Sequence, residues 1–323
     1  MELPQHGHDL LESTAATYRV LDVIHAVPPH AVYEVSVDGR RAVVKVDRGP
    51  RANAAVEGRV LRHVSRETDV PVPTVLAVGA GGFVAAYRDD APADPPATCR
   101  LEPEWLRAAG RTLARLREAA TFDRPGLLTV DGDPTGPDAD LAVDSPVDAT
   151  WSDALDDLLA VYEDAVSGTG YATVVDDARA FLARHSLRFN DADRRQSSLL
   201  HGWFTPEHVS VRAGDPSCVI DFEHALVGDG EWDYWRAAIP LFHGPRWETP
   251  EDAEAVFRDG YESVRPLSSG FEARAPAYRA FVAVSHLDSL HTQRGIDDET
   301  HDMATFLENE IEATLAELER AWA

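Results

Sequence analysis

Three places in this 323-residue chain hold residue types that could act together on a charged ligand. The first is Lys45, in "RAVVKVD". Lys and Arg total 30, yet Lys45 is the one lysine; every other cationic need is met by arginine. A lone ammonium marks a task for a compact point charge that the planar guanidinium fork does not perform. The second is Glu57, in "ANAAVEGRVLRHVSRE", an acid beside the helical-period stripe Val56, Val60, Leu61 and Val64. The third runs from "LLHGWFTPEHVSV" to "CVIDFE", where two apolar runs flank "AGDPS", a hairpin signature. With the turn centred between Gly214 and Asp215, His208 faces Asp221 across the ladder, their β-carbons about 5 Å apart, close enough to share one cation. Asp221 ends the apolar strand "CVID", where a carboxylate can face a cleft.

Elements must position these groups. Residues 1–90 read as a β-rich unit with one helix. "YRVLDVIHAV", "HAVYEVSV" and "RAVVKV" are strand-like, with Asp38-Gly39 as the hairpin turn between the last two, so Lys45 sits on a strand. The helix carrying Glu57 follows. "DVPVPTVLAVG" returns to extended chain because its alternate prolines forbid helix, and "FVAAYRD" closes the unit as a strand. Asp, Ala and Pro between Asp89 and Arg100 mark a connector. Residues 91–323 read as mainly helical, with helices expected at "PEWLRAAGRTLARLREAA", Trp151 to Val166 and Val174 to Leu187. A final amphipathic helix buries the stripe Met303, Phe306, Leu307, Ile311, Leu315 and Leu318. Thr121 to Thr150, with seven aspartates, reads as a long solvated loop. No internal repeat is present. The fold class is α+β.

Composition bounds the partners. A formal charge of −26, spread along the chain, argues against nucleic acid and anionic membrane. It suits a salt-rich, halophilic cytoplasm, where screening weakens carboxylate repulsion. No run of about 18 apolar residues occurs and the N-terminus lacks a signal-peptide pattern, so a soluble cytoplasmic protein is expected. Cys99 and Cys218 are too few for a disulfide framework and are expected to be reduced and mostly buried.

Taken in order, a strand lysine, a helix glutamate, "HGxxxxxH", a strand ending in "IDFE" and then "GDGEWD" resemble the aminoglycoside phosphotransferase and choline kinase family, from about Tyr18 to about Phe242. The resemblance implies a protein-kinase-like two-lobed fold, with a nucleotide-binding lobe over 1–90 and a catalytic and substrate lobe over 91–323. It implies an ATP-dependent transfer to the alcohol group of a small molecule, with ATP and Mg²⁺ as cofactors. Lys45 matches the residue that contacts the nucleotide phosphates, and Glu57 the acid that holds it. Asp221 matches the metal-binding acid. His208 stands where most of the family has a metal-ligating asparagine, and where the branch similar to macrolide kinases has histidine. His201 matches a buttressing histidine, and Asp233 a structural acid.

Two departures stand out. Trp203 occupies the position of the catalytic aspartate, and indole has no acceptor. Glu207 in the same loop, and Asp191 or Asp193 in "FNDADRR", are substitute carboxylates. Pro28-Pro29 replaces the glycines that often cover the phosphates, giving a stiffer loop with fewer N–H donors. Losing a positioned base removes about 10²- to 10⁴-fold in rate, which leaves a slow kinase open. Two alternatives stand beside it. One is a degenerate kinase fold that senses a nucleotide or metabolite. The other is a metal-dependent hydrolase using His201, His208, Asp221, Glu223 and His224, which have the ligand types for Mn²⁺ or Zn²⁺ but leave Lys45 idle.

Overall fold

Alternation along a strand decides which face each residue serves, and it places Lys45. In the computed structural model, which describes residues 2–49, 51–93, 99–132, 139–190, 197–244 and 246–323, the N-terminal region contains α1 (Gln5–Thr14), β1 (Tyr18–His25), β2 (His30–Val37) and β3 (Arg40–Asp47), followed by α2 (Ala54–Glu67), β4 (Val75–Gly79) and β5 (Gly82–Ala86). The five strands form one antiparallel sheet in the order β1-β2-β3-β5-β4. On β3, Ala42, Val44 and Val46 join Leu10 and Leu11 of α1 in one apolar cluster, whereas Lys45, one residue out of phase, turns to the other face. That face is covered by α2, whose Val60 and Val64 pack with Phe83 and Val78. Gly58 lets the helix come close, since a β-carbon there would stand 2.6 Å from Phe83.

One helix was expected among the first 90 residues, and the structure has two. α1 was missed because "QHGHDLLEST" offers little periodic stripe beyond Leu10 and Leu11. Its place is decided by the apolar sheet face it covers. The Asp38-Gly39 turn is as expected, with positive φ at both residues (46° and 79°) joining Val37 to Arg40.

The C-terminal region is mainly helical. Its elements are β6 (Cys99–Arg100), α3 (Pro103–Ala119), β7 (Thr121–Phe122), β8 (Gly126–Val130), β9 (Leu141–Asp144), α4 (Trp151–Val166) and α5 (Ala172–Arg184). There follow β10 (Ser197–Leu200), β11 (Val209–Arg212), β12 (Asp215–Val219), β13 (Leu226–Gly228), α6 (Gly230–Phe242), β14 (Trp247–Glu248), α7 (Ala253–Glu262), α8 (Phe271–Arg294) and α9 (His301–Trp322). Thr121 to Thr150 is not simply a loop. β8 and β9 pair within it, and β8 continues a sheet ordered β7-β10-β13-β8-β9. Its strand signals, "GLLTV" and "LAVD", are short, and β13, the strand that ties β8 into the sheet, lies about a hundred residues away, beyond the reach of local pattern. On α9, Ile311, Leu315 and Leu318 are buried as expected, but Met303 (53% exposed) and Phe306 (57%) are not. Cys218 is buried and Cys99 half-buried, both as free thiols. No described helix is long and apolar enough to cross a membrane.

Candidate active site

The sheet of the C-terminal region sets the loop "HGW". β10 pairs antiparallel with β13, Leu200 opposite Leu226 and Ser198 opposite Gly228, and α6 starts two residues beyond β13. Asp233, in the first turn of α6, reaches back and accepts from the backbone N–H of His201 and of Gly202, both at 2.8 Å. Gly202 carries φ +83°, and a β-carbon there would stand 2.2 Å from the carbonyl oxygen of His224, so only glycine fits. Burial pushes Asp233 up to about 6 against the pull of its two N–H donors. Asp233→Ala strips two charge-assisted hydrogen bonds from buried backbone and is expected to destabilise the protein by about 3 kcal/mol. Urea denaturation checks this; an unchanged midpoint would mean that Asp233 does not hold the loop.

Within the loop, His201 is fully buried and both ring nitrogens are engaged. Nδ1 accepts from the Trp203 N–H (3.3 Å), which leaves Nε2 to donate to the Ile220 carbonyl (3.0 Å). Burial holds its pKa down at about 3. This is a neutral strut with no nitrogen free for a metal.

His208 is set differently. Its Nδ1 donates to the Trp203 carbonyl (2.8 Å), which aims Nε2 at Asp221 Oδ2, 3.0 Å away. The expected route to this contact was wrong. The hairpin turns at Ala213 and Gly214, both with positive φ, and a bulge between Ser210 and Val211 shifts the ladder, so His208 stands opposite Ile220. β12 ends at Val219, and Asp221 lies beyond it with φ +67°, a left-handed turn that swings its carboxylate back toward His208.

Lys45 occupies the centre. Its Nζ is 2.6 Å from Asp221 Oδ1, 2.7 Å from Glu57 Oε2 and 2.9 Å from Glu223 Oε2. The Glu57 contact is an ion pair without the alignment of a hydrogen bond. Burial opposes the ammonium, but the three carboxylates hold its pKa well above the ordinary value. Glu57, 3% exposed, is pushed up to about 7 by burial, with Lys45 pulling the other way. Asp221 and Glu223 resist the same burial because of Lys45 and stay well below the carboxylate range. For His208, burial favours the neutral ring but Asp221 overrides it and raises the pKa to about 9, so an imidazolium sits on Asp221.

Lys45, Glu57, His208 and Asp221 thus meet, with Asp233 and His201 behind them. Glu207 accepts from Thr205 Oγ1 (3.2 Å) and is paired with Arg246, so its carboxylate is already committed. Asp191 and Asp193 lie outside the described residues. The Trp203 ring stands edge-on to His286 at 5.4 Å, with the Arg236 guanidinium 4.9 Å from its centre; Arg236 in turn donates to the Gly202 carbonyl (2.6 Å).

Glu223 and His30 were not placed in the kinase reading. Glu223 shares Lys45 and lies 2.9 Å from Nδ1 of His30, the residue that follows Pro28-Pro29, while His30 Nε2 accepts from the Asn53 N–H (3.1 Å). A signal for Glu223 existed. In "IDFE" the two acids are two residues apart, so on extended chain they share a side.

The group fits a divalent cation. Glu57, Asp221 and Glu223 can bring three carboxylate oxygens within 4.8 Å of one another, and His208 Nε2 lies 3.0 Å from Asp221 Oδ2, where it could join them once it has lost its proton. The Trp203 carbonyl fixes the His208 ring as an outer partner fixes a metal ligand.

A sequence profile described as "Phosphotransferase enzyme family" matches residues 30–267. Among solved structures, the fold is similar to that of a thermostable mutant of the aminoglycoside phosphotransferase APH(4)-Ia in ternary complex with ADP and hygromycin B. That likeness has 18% identity and a TM-score of 0.62, over 97% of this chain and 98% of the other. A complex of that enzyme with AMP-PNP and hygromycin B aligns with a TM-score of 0.65 at 16% identity, over 97% and 98%. The microcompartment-associated aminopropanol kinase aligns with a TM-score of 0.59 at 19% identity, over 96% and 94%. At these identities the likeness carries the fold. No curated protein sequence matches significantly.

Proposed function

Because the chain belongs to the phosphotransferase enzyme family, we propose that it transfers the terminal phosphoryl group of ATP to the hydroxyl of a small molecule, at a rate limited by the missing base. The observation that carries this is the position of Lys45, a buried ammonium held by Glu57 on α2 and by Asp221 and Glu223 from the C-terminal region. An anionic phosphate competes for that ammonium. Glu57 would keep Lys45 in place, and Asp221 and Glu223 would then have their negative charge available to hold a cation. His208 and Asp221 are the residues that would hold Mg²⁺, which when bound neutralises charge on the phosphates. Trp203 contributes its backbone carbonyl, which orients His208, and no proton acceptor. Its ring, packed against Arg236 and His286, limits the room at the acceptor side.

The test is calorimetric titration of Mg-ATP at pH 7, 8 and 9, followed by transfer assays over a panel of hydroxylated acceptors. His208 must lose its Nε2 proton before that nitrogen can ligate, and its pKa lies at about 9. Apparent affinity should therefore rise with pH, about tenfold per unit between about 7 and 9. In His208→Asn, which needs no deprotonation, the affinity should be flat across that range. A flat profile in the unaltered protein would remove His208 from the ligand set, and absence of any Mg-ATP binding would overturn the kinase reading itself.

The geometry also favours one part of the sensor reading. Glu207 is committed to Arg246 and Trp203 has no acceptor, so neither serves as base. Tight nucleotide binding without turnover over the acceptor panel would support that reading over transfer. The hydrolase reading loses His201, whose ring nitrogens both serve the loop backbone.

A further inference from the structure

His30 begins β2 beside the Lys45 cluster, and its two ring nitrogens serve different ends. Nε2 accepts from the N–H of Asn53, the residue that caps α2 (3.1 Å), so the ring carries its proton on Nδ1. Asp47, 3.6 Å from Nε2, accepts from the Ala54 N–H instead (2.9 Å). Nδ1 lies 2.9 Å from Glu223 Oε2 but without the alignment of a hydrogen bond, so this donor has no aligned acceptor among the described residues. His30 is 4% exposed, and a buried donor left unsatisfied costs free energy until an acceptor reaches it. We propose that His30 is a phosphate-binding residue, its Nδ1–H donating to an oxygen of the nucleotide's phosphates in the place that Glu223 Oε2 takes beside Lys45.

This role rests on the reading of Lys45 as the contact for the nucleotide's phosphates. Glu223 Oε2 lies 2.9 Å from both Lys45 Nζ and His30 Nδ1, so an anionic oxygen at that point meets two donors at once. A phosphate oxygen carries the same sign of charge and the same accepting ability as the carboxylate oxygen it would displace. The backbone beside His30 offers no substitute. Pro28 and Pro29 have no N–H, and the N–H of His30 itself is committed to the Val27 carbonyl (3.3 Å). Of residues 28–30, only the imidazole is left to donate toward the cluster. The Asn53 N–H holds the ring from its other side, which fixes both the tautomer and the direction of Nδ1.

The test needs no phosphotransfer. Mg-ATP and adenosine are titrated into the unaltered protein, His30→Asn and His30→Gln, with thermal denaturation to confirm that each is folded. Asn sets an amide N–H close to the Nδ1 position and loses the acceptor for Asn53, whereas Gln sets an amide oxygen close to the Nε2 position and loses the donor at Nδ1. His30→Asn is expected to keep its Mg-ATP affinity within about threefold, and His30→Gln to lose at least about tenfold, the scale of one hydrogen bond to a charged group. Adenosine, which has no phosphate, should not tell the three proteins apart. The reverse order, with Gln retaining affinity and Asn losing it, would make His30 a strut for α2 and overturn the proposal, as would equal Mg-ATP affinity in all three. A further variant leaves His30 untouched: Glu223→Gln removes the competing carboxylate and should bind metal-free ATP at least about tenfold more tightly. Unchanged affinity there would overturn the shared position. No Mg-ATP binding by the unaltered protein would instead sink the nucleotide reading on which this role rests.

Discussion

Lys45→Met is expected to abolish detectable Mg-ATP binding and to destabilise the protein by about 3–5 kcal/mol at pH 8, the usual consequence of stranding buried charge. The variant fills the same space but leaves Glu57, Asp221 and Glu223 facing one another without their shared cation. The pH dependence identifies the cause. Without Lys45, burial and mutual repulsion raise the folded-state pKa values of these acids above their unfolded values. A raised carboxylate contributes stability that is present at low pH and lost as pH rises through the folded pKa. The deficit relative to the unaltered protein should therefore be largest at pH 8 and shrink toward pH 5. In the unaltered protein Asp221 and Glu223 behave the other way, since their depressed pKa values give stability that disappears only as pH falls into the acid range. Urea denaturation at both pH values, alongside calorimetry with Mg-ATP, reads both effects. A variant as stable as the parent at pH 8 would show that the cluster is not held by Lys45, and retained ATP binding would place the nucleotide elsewhere.

Trp203→Asp should raise Mg-ATP hydrolysis by about 10²- to 10⁴-fold, the contribution of a positioned base. The loop around residue 203 is already built. Asp233 holds the His201 and Gly202 N–H groups, His201 receives the residue-203 N–H, and the residue-203 carbonyl receives His208 Nδ1. None of these contacts uses the side chain at position 203, so the substitution leaves them in place and changes only what that side chain presents. Water is the acceptor in this assay, which removes the need to know the natural one. Trp203→Asn, with the same loop and no carboxylate, should give no such gain. Phosphate release measured on the two variants decides the matter: equal rates would mean that residue 203 does not face the reacting phosphate.

Much of this was readable without coordinates, for reasons that are local. Lys45 on its strand and Glu57 on its helix follow from periods of two and 3.6 residues, and those periods put both in the gap between the sheet and α2. The end of β10 and the "GDGEWD" segment are likewise short-range patterns, each carrying its own backbone geometry. α1 and the strands β8 and β9 escaped because their sequences hold too few apolar residues to declare a period, and distant partners decide them.

The contact between His208 and Asp221 separates the two kinds of information most clearly. Both residues were expected together, but by a cross-strand register that the protein does not use. A bulge near Ser210 and a two-residue turn at Ala213-Gly214 move the ladder by one position, and a left-handed Asp221 restores the meeting. Sequence by itself determined the ion types present, the elements that carry Lys45 and Glu57, and the absence of a carboxylate at Trp203, because each depends on residue identity or local period. Only the tertiary structure decided that Glu223 joins Lys45, that Arg246 claims Glu207, and that His30 meets Glu223. These depend on which distant segments pack together, and backbone turns of one residue redirect a charge by several ångströms.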